Sequence, residues 1–144
     1  MKVEVKIDRE CKEARAIVIT NEWSDEIKTT VKFLEDQSSI LGYQSDTATI
    51  LEQKDILSIF SSNKKVFAMT KDKEYQIHLR LYELENILYE KWFVRISNSE
   101  IVNLKHIKKF DLSLTGTIRI IFFNGNATYV SRRYVSKIKK TLGM

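Results

Sequence analysis

Proline is absent from this 144-residue chain, glycine occurs only four times, and Cys11 is the single cysteine. A lone cysteine cannot form a disulfide within the chain, so a disulfide framework and a paired-cysteine redox motif are both excluded. The scarcity of glycine and proline argues against long flexible linkers. We therefore expect an ordered protein that folds in a reducing compartment.

Long apolar runs are also missing, since none approaches the roughly 18–20 residues that a helix needs to span a bilayer. The N-terminal sequence MKVEVKIDRE alternates valine and isoleucine with charged residues, whereas a signal peptide has a continuous apolar segment. We expect a cytoplasmic protein. With 43% hydrophobic and 30% charged residues, the composition is that of an ordinary globular chain.

Residues suited to catalysis are few. The two histidines, His78 and His106, have no cysteine, aspartate or second histidine nearby at the spacing of a metal site or a catalytic triad. A glycine-rich phosphate loop is not present either. Because no nucleophile, base and orienting group can be assembled, the sequence predicts a protein that is not an enzyme and that uses no cofactor or metal.

Charge is distributed very unevenly along the chain. Residues 91–144 carry eleven Lys and Arg against Glu100 and Asp111, a net charge of +9, whereas residues 1–90 carry thirteen bases and seventeen acids, a net charge of −4. A basic C-terminal third predicts a surface that meets a polyanion, most often nucleic acid. A solvated charged face, or a module that binds an acidic protein or a membrane surface, would have the same charge.

Residues 1–42 have the pattern of a small N-terminal extension. Period-two alternation over 2–7 and β-branched side chains over 14–20 predict two strands. Apolar residues then recur with helical spacing over 24–37, which predicts a helix. We expect the domain boundary to follow this helix, with residues 43–144 forming the second domain.

Strand signals dominate from Thr47 onward and predict a β-rich sandwich or open barrel. Helices are expected at 80–88 and at 132–142, the latter with Ser131 as its N-cap. Tight turns are expected at 71–73 and 124–126. The nine predicted strands are 48–51, 56–60, 66–71, 74–79, 93–96, 101–103, 107–112, 117–123 and 127–130.

Three polar segments are candidate contact sites for an anion. Arg132 and Arg133 fall in the first turn of the last predicted helix, where positive charge is locally unfavourable unless an anion completes the site. A basic turn is expected over 61–65, and the turn over 97–99 has short polar side chains that suit phosphate or base contacts. Exposed arginines and ordinary turn residues would give the same sequence, and spacing alone does not show whether the segments share a face.

Taken together, residues 93–99 (FVRISNS), 101–107 (IVNLKHI) and 130–135 (VSRRYV), with the basic helix that follows, resemble the LytTR-type DNA-binding domain family. The resemblance extends from Thr47 to Leu142. It implies a mainly β fold with short helices, in which elongated, layered antiparallel strands follow the strand-strand-helix extension. It also implies a bacterial, sequence-specific transcription regulator whose loops enter successive major grooves of promoter repeats in double-stranded DNA.

The resemblance places the family's DNA-contacting positions on three loops of this chain, at the turn 63–65, at Ser97 and Asn98, and at Arg133 with Lys137 close by. Many family members have His or Lys at the second of these loops, which implies a different base preference here. We expect Arg133 and Asn98 to read base edges and the lysines and Arg132 to bind phosphates. The candidate DNA-binding residues are Asn63, Lys64, Lys65, Ser97, Asn98, Arg132, Arg133, Lys137, Lys139 and Lys140.

The family's usual partner module, a phosphorylatable receiver domain, does not fit in the N-terminal extension. Asp8, Asp25 and Asp36 also lack the pattern of its acidic pocket. The chain therefore resembles the stand-alone subtype, and this resemblance implies a small membrane protein as an inhibitor. We further expect a homodimer on DNA, because linking two contacts on a repeated site multiplies affinity, and we expect the exposed edges of the N-terminal strands to form its interface.

Overall fold

The computed structural model describes residues 1–35 and 39–144. Contacts divide the chain into two compact units, Met1–Gln37 and Ser38–Met144. Across the described residues, no helix is both long enough and apolar enough to cross a membrane.

The first unit contains one helix, α1 (Asp25–Glu35). It begins where the sequence predicts, since the backbone N–H of Ile27 donates to the Ser24 hydroxyl at 3.3 Å. Asp25 and Glu26 lie in the first turn, where the helix dipole favours acidic residues. Positions 36 and 37, at the end of the predicted helix, lie outside the described residues.

The two N-terminal strands that the sequence predicts are not formed within residues 1–35. Residues 2–7 and 14–20 belong to no sheet, although the chain turns between them, where the N–H of Cys11 donates to the carbonyl of Asp8 at 3.1 Å. This prediction was wrong because alternation identifies a face that favours burial but does not supply a strand partner.

The second unit contains ten strands and two helices. All nine strands predicted after Thr47 are confirmed with small shifts of their ends, as are both helices. The elements are β1 (Ile40–Gln44), β2 (Thr47–Leu51), β3 (Ser58–Ser62), β4 (Lys65–Met69), β5 (Glu74–Ile77), α2 (Leu81–Ile87), β6 (Phe93–Ser97), β7 (Glu100–Asn103), β8 (Ile107–Asp111), β9 (Ile118–Phe122), β10 (Ala127–Val130) and α3 (Arg132–Thr141). Strand β1 was not predicted.

The strands form two antiparallel sheets. The larger sheet has seven strands in the order β2-β1-β5-β4-β3-β7-β6, and the smaller has three in the order β10-β9-β8. Both predicted tight turns are confirmed, because β4 pairs with β5 around 71–73 and β9 pairs with β10 around 124–126. The fold is thus mainly antiparallel β with three short helices, as predicted.

Two hydrophobic cores lie in the second unit, and the β6–β7 hairpin contributes to both. Phe93 and Ile101 belong to the core that the larger sheet forms with α2. Their neighbours Val94, Ile96 and Val102 belong to the core that contains buried residues of β9 and α3. Because successive side chains of a strand point to opposite faces, both faces of this hairpin are buried. The turn at its tip is therefore supported from two sides.

A buried amide fixes the other end of this hairpin. Asn103 is fully buried at the end of β7 and donates to the carbonyl of Ile56 at 2.9 Å, while its side-chain oxygen accepts from the N–H of Lys105 at 3.0 Å. A buried amide without partners would be costly, so these bonds specify how the chain enters and leaves the hairpin.

Candidate nucleic-acid interface

The turn between β3 and β4 projects three candidate residues into solvent. Ser62 pairs with Lys65, so Asn63 and Lys64 form a two-residue turn, and both have left-handed backbones with φ of 51° and 65°. This is the geometry of a type I′ hairpin turn, for which asparagine is favoured. Asn63, Lys64 and Lys65 are all exposed. The predicted basic turn is confirmed as a tight hairpin that presents its lysines outward.

The turn between β6 and β7 has a different construction, because a partly buried arginine supports it. The guanidinium of Arg95 donates to the backbone carbonyls of Ser97 and Asn98, the first at 2.7 Å, and also pairs with the carboxylate of Glu85. Its side chain is only 18% exposed. The planar guanidinium joins three acceptors in a fixed arrangement, so it fixes the shape of the turn.

Local hydrogen bonds complete this turn. The N–H of Ser99 donates to the Ser97 hydroxyl at 3.1 Å, and the two serine hydroxyls lie 3.3 Å apart. Asn98 is exposed at the tip, whereas Ser97 is partly buried. The Ser97 hydroxyl therefore stabilises the turn, and the Asn98 side chain is the outward-facing group.

Helix α3 begins beside this turn. The N–H of Ser131 donates to the carbonyl of Ile96 at 2.9 Å, and the hydroxyl of Tyr134 donates to the side-chain oxygen of Asn98 at 3.1 Å. The second bond occupies the side-chain oxygen of Asn98 and leaves its NH₂ group available as a donor. The structure therefore connects two of the three predicted contact segments directly.

The charged residues of α3 lie on its solvent side. Arg132, Arg133, Lys137, Lys139 and Lys140 are all exposed, whereas Ile138 is buried. Helical spacing places Arg133, Lys137 and Lys140 on one stripe and Arg132 and Lys139 on the next. Lys140 lies about 10 Å along the helix from Arg133, given a rise of about 1.5 Å per residue.

Ser131 is the residue that precedes α3, as predicted, but its hydroxyl does not cap the helix. The hydroxyl oxygen is buried without a hydrogen-bond partner in the part of the chain that the structure describes. Instead, the N–H of Tyr134 donates to the backbone carbonyl of Ser131 at 2.9 Å. The first-turn N–H groups are therefore not neutralised by this side chain, which leaves the helix start attractive to an anion.

An open cleft joins the first two contact segments. Lys64 and Lys65 line it from the β3–β4 turn, and Asn98 and Arg95 line it from the β6–β7 turn. Arg80, just before α2, also lines it, as does His78, whose ring stacks on Tyr43 with centroids 3.9 Å apart. The structure thus brings basic side chains from separate parts of the chain to one concave surface.

Of the ten predicted residues, Lys64, Lys65 and Asn98 line this cleft, and the other seven do not. Lys137 lines a second hollow together with Glu85 and Glu90, so it faces acidic groups. Arg132 lies over Gly116 in the β8–β9 connection, where a Cβ would come within 3.5 Å of its Nε. The exposed lysines and arginines of α3 therefore extend the positive surface beyond the cleft between the two turns.

Sequence reasoning missed three residues that shape this site: Arg95, Tyr134 and Arg80. Arg95 lies between the core residues Val94 and Ile96 in a strand, and a charged residue in such a run signals a paired or positioning role. The Tyr134 contact left no comparable signal, because it joins positions 36 residues apart.

Glu100, at the start of β7, is an acidic group behind the β6–β7 turn. Burial raises the pKa of its carboxyl above the ordinary value, and a hydrogen bond from the Thr128 hydroxyl at 2.7 Å partly opposes the shift. Glu100 therefore links the larger sheet to β10 of the smaller sheet just below the tip of the hairpin.

Comparison with known proteins gives a consistent result. The family model of the LytTr DNA-binding domain matches residues 46–143. A Staphylococcus aureus (strain MSSA476) protein described as an uncharacterised HTH-type transcriptional regulator is 36% identical over 124 residues, which cover 86% of this chain and 84% of that protein. A similarly described protein of strain NCTC 8325 is 37% identical over 118 residues, which cover 82% and 80% of the two chains.

A solved structure shares the fold. It is the LytTr DNA-binding domain of a Bacillus cereus protein, and it superimposes with a TM-score of 0.72 at 25% sequence identity. The match covers 74% of this chain and 98% of that domain. The similarity therefore extends over nearly the whole of the solved domain.

Proposed function

This chain belongs to the LytTr DNA-binding domain family, and we propose that it recognises specific DNA sequences through the β3–β4 turn, the β6–β7 turn and the start of α3. The family and the relatives described as transcriptional regulators make it a DNA-binding regulator rather than an enzyme. Double-stranded DNA is the partner that follows from this assignment.

The observation that carries the proposal is the connection between the three segments. Asn98 accepts from Tyr134 of α3 and lines one cleft with Lys64 and Lys65. In DNA recognition, phosphate contacts position the protein and contacts to base edges specify the sequence. Exposed basic side chains near a fixed polar turn match this division of roles. We assign base reading to Asn98 and Arg133.

The remaining eight candidates have other roles in this proposal. Asn63 and Ser97 shape the two turns, and the other six bind phosphates. Those six are Lys64, Lys65, Arg132, Lys137, Lys139 and Lys140, all of them exposed.

The reading elements in this proposal are turns and a helix start, not a helix-turn-helix. The S. aureus relatives carry the term HTH-type, but in this chain five strands separate α1 from α2 and another five separate α2 from α3. Consecutive helices joined by a short turn, which a helix-turn-helix requires, do not occur among the described residues. The protruding turns are therefore the elements that would enter successive major grooves of a promoter repeat.

Repeated sites would favour binding as a homodimer, since two linked contacts on one DNA bind far more tightly than one. We keep this as part of the proposal. A small membrane protein as an inhibitor stays a prediction that rests on the family resemblance alone.

The experiment is fluorescence anisotropy on DNA from upstream of the chain's own gene and on a scrambled duplex, at several salt concentrations. If about five to seven phosphates are neutralised, log K falls with log[salt] with a slope of roughly −4 to −6. Arg133→Ala should lose about 1–3 kcal/mol on the preferred duplex only. The matched variant Lys139→Ala should weaken binding to both duplexes alike.

If Arg133→Ala loses the same binding free energy on both duplexes, Arg133 is not a base reader. If the wild type does not distinguish the upstream duplex from the scrambled one, selection from random DNA identifies the preferred sequence. Binding to acidic lipid vesicles or polyglutamate as strong as binding to selected DNA would instead favour a general basic interaction module.

A further inference from the structure

The first unit exposes a row of apolar side chains at its N-terminus. Val3, Val5 and Ile7 are 80%, 84% and 85% exposed, and they alternate with the charged residues Lys2, Glu4, Lys6 and Asp8. Single exposed apolar residues are ordinary on a protein surface, but a row at every second position is the pattern of a strand with one face to bury.

A nearby segment of the same unit lies beside α1. Ala16, Val18 and Thr20 line a groove with Ile27 and Val31 of α1. Val18 is partly buried there, whereas Ile17 and Ile19 are 71% and 93% exposed. Residues 2–8 line no part of this groove, and their apolar row stays exposed among the described residues of the unit.

The charges of residues 2–8 specify a partner, because the segment is complementary to itself. In an antiparallel pair centred on Val5, Lys2 faces Asp8 and Glu4 faces Lys6 of the second strand. On the other face of this pair, Val3 faces Ile7 and Val5 faces Val5. Opposite charges and apolar residues directly across a strand pair are stabilising, so every cross-strand position in this register is favourable.

Neighbouring registers lack this complementarity. Centring the pair on Glu4 places Glu4 against Glu4 and Lys2 against Lys6, and centring it on Lys6 places Lys6 against Lys6. A shift by one residue places charged residues opposite valines, because side chains alternate between faces. Like charges directly opposite one another are destabilising, which leaves the pair centred on Val5 as the favoured register.

We propose that residues 2–8 form a self-pairing strand that joins two copies of this chain, with a two-fold axis at Val5. The interface is isologous, since the same segment contributes to both sides. Two seven-residue strands form a small contact, so we expect a reversible, concentration-dependent dimer. This inference deepens the homodimer of the proposed function by giving it an interface, but its test contains no DNA, so the pairing and the DNA recognition can fail separately.

Cysteine cross-linking of the full chain tests the register. Cys11 is exposed and is first replaced, as Cys11→Ser, so that only the introduced cysteine reports. Val5→Cys should form a disulfide-linked dimer under mild oxidation, because position 5 faces itself. The control Val3→Cys should cross-link at least about tenfold less, because its two copies lie about 13 Å apart along the strands.

If the Val5→Cys substitution itself prevents strand pairing, a mixture of two other cysteine variants still tests the register. Val3→Cys and Ile7→Cys proteins, each with Cys11→Ser, should cross-link to one another when mixed and much less when kept apart. Equal cross-linking at all three positions, or no dimer at any of them, overturns the register.

A charge exchange tests the energetics by sedimentation equilibrium of the full chain. Glu4→Lys alone and Lys6→Glu alone should each weaken dimerisation about tenfold, because each replaces two attractive pairs by two repulsive ones. The double variant restores both pairs and should return to within about threefold of the wild type. Lys12→Glu, outside the segment, controls for net charge and should change little.

The proposal is wrong if the wild type sediments as a monomer over the whole concentration range. It is also wrong if the double variant stays as weak as the single variants. Pairing of residues 2–8 with 14–20 of the same chain would leave the mass monomeric, so that outcome also counts against the proposal.

Discussion

The β3–β4 and β6–β7 turns line the same cleft but are built in different ways. The first is a two-residue hairpin whose Asn63 and Lys64 are exposed and held only by the strand ladder beneath them. The second rests on a hairpin with both faces buried, and Arg95 and Tyr134 bond directly to its tip. The β3–β4 turn is thus exposed without such support. We call the β6–β7 turn the braced turn and its bonds from Arg95 and Tyr134 the brace.

This difference matches the two tasks of a DNA-binding surface. A lysine that binds a phosphate needs charge and reach, because its contribution is largely the release of counterions. A group that reads a base edge needs a fixed position. A wrong base is rejected because its donors and acceptors do not line up with those of the side chain, and a mobile side chain could adjust to it. We infer that the braced turn provides specificity and the exposed turn provides affinity.

Removing the brace should have the largest effect. In Arg95→Met, the guanidinium bonds to Ser97, Asn98 and Glu85 are lost, and we expect the free energy of unfolding to fall by about 2 kcal/mol. Binding to the preferred duplex should also weaken by about 1–3 kcal/mol, because Asn98 is no longer held in place. Urea unfolding and anisotropy below the unfolding transition measure the two losses.

Arg80→Met is the matched control, because Arg80 lines the same cleft without bonding to the turn tip. It should weaken binding to the preferred and scrambled duplexes equally. If Arg95→Met also weakens binding to both duplexes equally, Arg95 contributes only its positive charge to binding. The distinction between the two turns would then be wrong.

Removing one hydroxyl should have an intermediate effect. Tyr134→Phe keeps the ring and its packing but deletes the bond to Asn98, so binding to the preferred duplex should weaken by about 0.5–1.5 kcal/mol. The salt slope should stay unchanged, since no charge is removed. Tyr129→Phe, at a 55% exposed tyrosine of β10, is the control and should have no effect. A changed salt slope in Tyr134→Phe would argue against a positioning role.

The exposed turn should respond in the opposite way. Lys64→Ala should weaken binding to both duplexes alike, by about 0.5–1 kcal/mol at moderate salt, and make the salt slope shallower by about 0.9. Lys71→Ala, in the β4–β5 turn that follows the far end of β4, should leave the slope unchanged. A loss that affects only the preferred duplex would show that the β3–β4 turn reads sequence as well.

The contrast between the two turns was partly predictable. All the turns and strands after Thr47 are local features, because each strand alternates and ends at residues that favour turns. The two N-terminal strands were wrong for the converse reason, since the alternation over 2–7 and the β-branched side chains over 14–20 are equally local, but a sheet also needs a partner. Strand β1 was missed because Ile40, Leu41 and Gly42 were interpreted as the end of the extension.

The brace itself could not be predicted, because its contacts connect distant positions. Arg95 bonds to Glu85 across ten residues and Tyr134 bonds to Asn98 across 36. Spacing indicated that Ser97 and Asn98 lie in a turn, but not that α3 begins beside it. Likewise, nothing in the sequence shows that Lys137 shares its hollow with Glu85 and Glu90.

The smallest effect concerns Glu100, directly below the braced tip. Because burial raises the pKa of its carboxyl, the unfolded chain ionises first as pH rises, so this group makes the fold less stable above the ordinary glutamate pKa of 4.5 than below it. Glu100→Gln keeps an oxygen for the Thr128 hydroxyl and removes the charge. We expect it to stabilise the fold at pH 7 by on the order of 0.5 kcal/mol.

The advantage of Glu100→Gln should shrink as pH falls through the raised pKa of the folded state and disappear below 4.5, where both states of the wild type are protonated. Urea unfolding at a series of pH values measures this, with Glu74→Gln at the exposed start of β5 as the matched control. An advantage that is independent of pH would show that the charge of Glu100 is not its cause. The pH-dependent result would mean that the β6–β7 hairpin carries a partly buried carboxylate beneath the proposed DNA-binding surface, at a small cost in stability.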